Sequence, residues 1–159
     1  MYYELDTSYA KEWKNFNNDI QTGKVIILFY MNGCQFCESM KNEWNMFVSE
    51  IKSSNRKVPV YRILKDVQDQ VPYEILKHVS GYPTILSTNH NQLGKIYPEY
   101  LQRNVNDFMK FYYETEKQMK IRENIKPSKR GGKKIKKTKK KTHKKRTHKK
   151  KKKKKTHKK

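Results

Sequence analysis

The chain has 159 residues and a formal net charge of +23, very unevenly placed: residues 129–159 carry 19 Lys, 2 Arg and no acidic residue, which leaves residues 1–128 at +2. That division allows one ordinary domain, holding every aromatic residue, and a polycationic extension. Two cysteines exclude the disulfide framework of a small secreted protein, and the longest apolar run, Val25 to Met31, is far too short for a bilayer span.

Along the chain, Tyr9, Trp13, Phe16 and Ile20 recur at helical spacing and predict a first helix that Thr22-Gly23 ends. Val25–Tyr30 reads as a fully buried strand. From Cys37 the apolar positions Met40, Trp44, Phe47, Val48 and Ile51 keep helical spacing for about four turns. This pattern puts Cys37 on the packed face and Cys34 at the exposed start of the helix. Val58–Leu64 alternates as a second strand, with Pro59 near its beginning. Pro72–Val79 is expected as a short helix stopped by Ser80-Gly81. Tyr82–Leu86 starts a third strand, Asn89–Gly94 is a hairpin loop, and Lys95–Tyr97 returns as a short fourth. Asn104 is placed to cap a last helix with Val105, Phe108, Met109 and Tyr112 facing inward. The order α-β-α-β-α-β-β-α gives an α/β domain over residues 1–125, with a mixed sheet of about four strands covered on both faces. Residues 126–159 form the Lys-rich tail.

The sharpest chemical signal is Cys34-Gln35-Phe36-Cys37, set where an apolar strand gives way to an amphipathic helix. A sulfur at the first position meets the unpaired N–H groups of a helix start, which favour a thiolate. A second thiol two residues behind is placed to resolve a mixed disulfide. Cys34 is therefore the candidate nucleophile and Cys37 the candidate resolving thiol. Two plainer readings stand beside this one: a pair of structural thiols, and half of a zinc site. Zinc needs about four ligands, and neither His78 nor His90 falls at a matching spacing. Neither a metal nor another cofactor is expected. Met31, Phe36 and Tyr82 are candidates for an apolar rim around the sulfurs.

The element order, with CxxC after the first strand and proline opening a later one, resembles the thioredoxin fold over residues 8–115. Phe29-Tyr30 ahead of Cys34 is similar to the Phe-Tyr-Ala-Pro-Trp-Cys segment of thioredoxin and protein disulfide isomerase domains. Gly81-Tyr82-Pro83-Thr84 resembles their Gly-Tyr/Phe-Pro-Thr loop. The resemblance implies a cis bond before Pro83. It also implies a substrate-binding surface built from Gly33, Gln35, Phe36, Tyr82 and Thr84, with Pro83 beside the cysteines. Three positions depart from the pattern. Leu28 stands where those families place a buried carboxylate, Gly33 where they place tryptophan, and Asn42 where they place a helix-kinking proline.

The implied activity is disulfide exchange with protein thiols or disulfides, served by a reducing or oxidising partner protein. The tail, with Thr-His-Lys-Lys repeated at 142, 147 and 156, has too few apolar side chains to fold and too much self-repulsion. A polycation of this kind binds nucleic acid or another polyanion by counterion release, without base readout. It equally suits solubility or nuclear import. In composition it is similar to basic tails on proteins of large cytoplasmic or nuclear DNA viruses. A cytoplasmic, nuclear or virion location without a membrane is expected, since Met-Tyr-Tyr-Glu-Leu-Asp has no secretory pattern. The rival reading is a nucleic-acid-binding or virion-packaging protein that uses its domain as a non-catalytic scaffold.

Overall fold

The structure is a computed structural model that describes residues 1–7 and 11–124, with side chains to residue 117. Tyr9 and the tail assigned to 126–159 lie outside the described residues. Five strands form one mixed sheet in the order β1-β3-β2-β4-β5. They are β1 (Tyr2–Leu5), β2 (Ile26–Tyr30), β3 (Val60–Leu64), β4 (Thr84–Asn89) and β5 (Gln92–Ile96). β1 and β2 both pair parallel to β3, whereas β4 runs antiparallel to β2 and β5 to β4.

β2 reads as an unbroken apolar run because both faces of the sheet are covered at its centre. Ile27 and Phe29 point into one cluster with Phe16, Ile20 and Tyr61. Ile26 and Leu28 point into the other with Trp44, Phe47, Phe108 and Tyr112. The first cluster lies under α1 (Glu12–Thr22); the second lies under α3 (Lys41–Ser53) and α5 (Val105–Asn124). The expected α/β fold class is found, with one strand more than the sequence suggested. The extra strand, β1, is a four-residue edge. It is held by parallel pairing to β3, by buried Leu5, and by Tyr3 stacked on Tyr61 at 5.0 Å. Edge strands owe more to backbone pairing than to an apolar pattern, which is why Tyr-Tyr-Glu-Leu gave no signal.

The four-turn helix expected from Cys37 is two helices. α2 (Gln35–Ser39) and α3 meet at Met40, whose φ of −93° and ψ of −5° interrupt the ladder. The break falls without the family's proline, since position 42 is Asn. Buried Met40 and Trp44 keep one apolar stripe running across it, so the side-chain spacing hid the interruption. The helix expected over Pro72–Val79 shortens to α4 (Tyr73–Leu76), with Pro72 at its N-cap. A 3-10 turn, Lys65–Gln70, precedes it and has no counterpart in the sequence reading.

The hairpin turn is also tighter than expected. His90 and Asn91 take positive φ values of 49° and 64°, as a two-residue turn requires, and β5 starts at Gln92. Gly94 thus lies within a strand: a Cβ there would stand 2.8 Å from Ser87 Oγ. Asn104 caps α5 as expected, its Oδ1 accepting from Asp107 N–H at 3.0 Å. Among the described residues no helix is long and apolar enough to cross a membrane.

Candidate active site

Both cysteines are free thiols at the C-terminal end of β2. Gly33, with φ of +72°, turns the chain out of the strand; the requirement is conformational, because nothing lies within 4 Å of where its Cβ would be. The turn leaves Cys34 at the N-cap of α2, in extended backbone, with its sulfur accepting from Cys37 N–H at 3.3 Å. α2 has only five residues, so these local donors, rather than a long helix dipole, act on the sulfur.

The expected exposure of Cys34 needs correction. It is 8% exposed and Cys37 9%. Cys34 is shallow but covered: its thiol donates to the Tyr82 carbonyl at 3.5 Å, across from the cis Tyr82–Pro83 bond. Cys37 lies deeper, lining a narrow cleft together with Leu28, Tyr30, Trp44, Arg62 and Pro83.

These surroundings separate the two thiols. The Cys37 thiol, as hydrogen-bond donor to the Cys34 sulfur, brings the Cys34 pKa below its ordinary value. The N–H groups of Cys37 and Phe36 and the charge of Arg103 act in the same sense, against the cost of burial. Burial pushes the Cys37 pKa up to about 11, helped by its bond to Cys34 and by that neighbour's charge. The arrangement therefore supports one thiolate, at Cys34, with a protonated thiol behind it.

The remaining predicted residues do not all face the sulfurs alike. Gln35 is exposed and Phe36 is 66% exposed, presenting an apolar ring beside Cys34. Met31 is only partly buried. Tyr82 departs from a simple apolar rim: its ring is half-buried against the cluster containing Phe29, and it offers Cys34 its backbone carbonyl. Thr84 Oγ1 closes the loop by donating to the Gly81 carbonyl at 2.7 Å. A second hollow, a groove of about 430 Å³ that Pro83 also lines, runs past Tyr82, Thr84, Tyr97 and Arg103. Among the described residues no three His, Cys, Asp or Glu side chains come together as a metal ion would need.

Sequence reasoning missed Arg62, Gln68 and Arg103. Arg62 sits in β3 with its guanidinium 3.9 Å from the centre of the Tyr30 ring and 3.5 Å from Glu4 Oε1. Arg103 lies in the turn before α5, some seventy residues from the cysteines, and no local pattern connects them.

A dithiol of split acidity at a strand-to-helix turn, beside a cis-proline loop, defines a site of the thioredoxin-like class. The thioredoxin family model matches residues 8–111, and the chain belongs to that family. Among solved structures it is similar to human ERp44, with 18% identity and a TM-score of 0.54, over 70% of this chain and 32% of that one. It is likewise similar to the J-Trx1 fragment of ERdj5, with 14% identity and a TM-score of 0.53, over 70% of this chain and 50% of that one. The chain thus spans half or less of those structures, and the likeness is one of fold. No curated protein matches this chain.

Proposed function

We propose that the protein exchanges disulfides with protein substrates through Cys34 and Cys37. The observation that carries this reading is the Cys34 sulfur receiving the Cys37 N–H at 3.3 Å, beside a thiol of much higher pKa. The Cys34 thiolate attacks one sulfur of a substrate disulfide. The S–S bond breaks, a mixed disulfide forms, and the departing substrate thiolate takes a proton from water. Cys37 then loses its proton and attacks the Cys34 sulfur. That step closes the Cys34–Cys37 disulfide and releases the second substrate thiolate, so two electrons pass to the substrate. The same steps reversed oxidise a substrate dithiol. Gly33, Gln35, Phe36, Tyr82 and Thr84 form the substrate surface around the pair, with Pro83 lining both the cleft that holds Cys37 and the groove that holds Tyr82 and Thr84.

A partner protein restores the pair after each turnover. The direction of flow is read from its reduction potential, about −270 mV marking a reductase and about −120 mV an oxidant. Replacing Cys34 with serine should abolish turnover of a model disulfide and of a model dithiol; a variant as active as the parent overturns the assignment. Cys37→Ser should instead accumulate mixed disulfides.

Residues 129–159 supply the second part of the proposal: a tether to nucleic acid or another polyanion, in a cytoplasmic, nuclear or virion setting and with the composition of a large-DNA-virus protein. Its 21 positive charges support this, because affinity from phosphate contacts falls steeply with salt. Deleting residues 129–159 should remove salt-dependent binding to duplex DNA and leave disulfide exchange intact. The scaffold reading draws its support from Leu28 and Gly33, which stand where the family pattern has a buried carboxylate and a tryptophan. It requires the reverse outcome: function lost with the tail and kept when both cysteines are replaced.

A further inference from the structure

Tyr82 is held at both ends. Its carbonyl accepts the Cys34 thiol proton at 3.5 Å, and its hydroxyl donates to Gln68 Oε1 at 2.6 Å. Gln68 sits in the 3-10 turn Lys65–Gln70, which the buried side chains of Val67 and Val71 pin to the cluster containing Phe29 and Ile75. Its own carbonyl accepts from Val71 N–H at 2.9 Å. The acceptor for the Tyr82 hydroxyl is therefore mounted on a packed frame, and the exchange chemistry described above makes no use of it.

We infer that Gln68 is a positioning residue for Cys34: by holding the Tyr82 hydroxyl it fixes the Tyr82 carbonyl against the sulfur and sets how readily that thiol ionises. This inference rests on the oxidoreductase reading and deepens it. As a thiol, Cys34 has a proton to give the carbonyl. As a thiolate it has none, and the carbonyl oxygen then presents its negative end to the charged sulfur. A hydrogen bond made only by the neutral form disfavours ionisation. The carbonyl thus opposes the groups that favour the thiolate, which are the Cys37 thiol, the N–H groups of Cys37 and Phe36, and the Arg103 guanidinium. Among side chains, Cys37 and Arg103 are the titratable or charged groups acting on Cys34. The Tyr82 phenol is turned away, toward Gln68.

The test uses the full chain and iodoacetamide, with labelling at Cys34 resolved from Cys37 by mass spectrometry across pH. Gln68→Ala and Tyr82→Phe should each move the Cys34 profile to lower pH, raising labelling below its midpoint about threefold, as half a pKa unit requires. The double variant should move it no further than either single change. Gln68→Glu keeps an oxygen acceptor and should show no downward movement. A Gln68→Ala profile superimposed on the parent's overturns the inference, whatever happens to its melting temperature. So does a double variant whose shift is the sum of the two. Cys34 unreactive in the parent at every pH overturns the oxidoreductase reading itself, a result distinct from a reactive Cys34 indifferent to Gln68.

Discussion

Leu28 lies directly across from Arg62 in the β2–β3 register, and both line the cleft that Cys37 also lines. The pairing puts a cation, without a carboxylate at position 28, behind the thiol that has to lose its proton in the second half of the reaction. Cys37, pushed up to about 11, is then the slow partner at neutral pH.

Leu28→Asp should quicken the resolving step. A carboxylate at this position finds Arg62 across the pair and Cys37 lining the same cleft, so it serves as a proton acceptor. Single-turnover release of the second substrate thiol at pH 7 should rise severalfold, while attack by Cys34 stays the same. The change removes buried apolar contact and should lower stability by about 1–3 kcal/mol, seen as an earlier urea midpoint. Unchanged release kinetics in a folded variant would show that Cys37 deprotonation does not limit the step.

Arg103→Gln should make both sulfurs harder to ionise, because the guanidinium lowers the pKa of each. Labelling of Cys34 at pH 7 should slow by about two- to fivefold, and less at high ionic strength, where screening already weakens an exposed charge. Equal labelling of parent and variant in low salt would remove Arg103 from the site.

The dithiol form should lose stability in alkali. Cys37 is raised from 9.0 to about 11 in the folded protein. Its contribution is thus complete below pH 9 and disappears as pH climbs through 11. The lowered Cys34 pKa works in the opposite direction: its contribution holds above the ordinary thiol pKa and declines as pH falls through the depressed value. Urea midpoints of the reduced protein should therefore fall more steeply between pH 9 and 11 than those of Cys37→Ser. Parallel curves would count against a buried, protonated Cys37.

Gly94→Ala probes the hairpin. The added methyl would stand 2.8 Å from Ser87 Oγ and 3.0 Å from the Ser87 carbonyl oxygen, where backbone has to move. A destabilisation of about 1–3 kcal/mol is expected, read as a lower melting temperature. Cys34 labelling should be unaffected, since the clash lies on the far strand.

Much of the fold was legible because it rests on local repetition. Trp13, Phe16 and Ile20 on α1, Val25 to Phe29 in and before β2, and Phe108, Met109 and Tyr112 on α5 all end up buried as their spacing demands, while Tyr30 at the end of the strand stays partly exposed. What escaped was held together across the chain. β1 takes its place from β3, and the break at Met40 hides beneath a continuous apolar stripe. The start of β5 depends on the His90–Asn91 turn, and Gly94 serves a close approach to Ser87.

The site divides along the same line. By itself the sequence determined that two thiols stand at a strand-to-helix turn and that Pro83 opens a later strand, because residue type and spacing carry that information. Tertiary structure alone decided how the thiols differ. Burial raises one, while N–H groups, its partner thiol and Arg103 lower the other. A carbonyl brought from residue 82 covers the nucleophile, with Gln68 gripping the far end of that tyrosine. Acidity follows from which dipoles and charges lie within a few ångströms of a sulfur, and those neighbours come from segments that folding brings together.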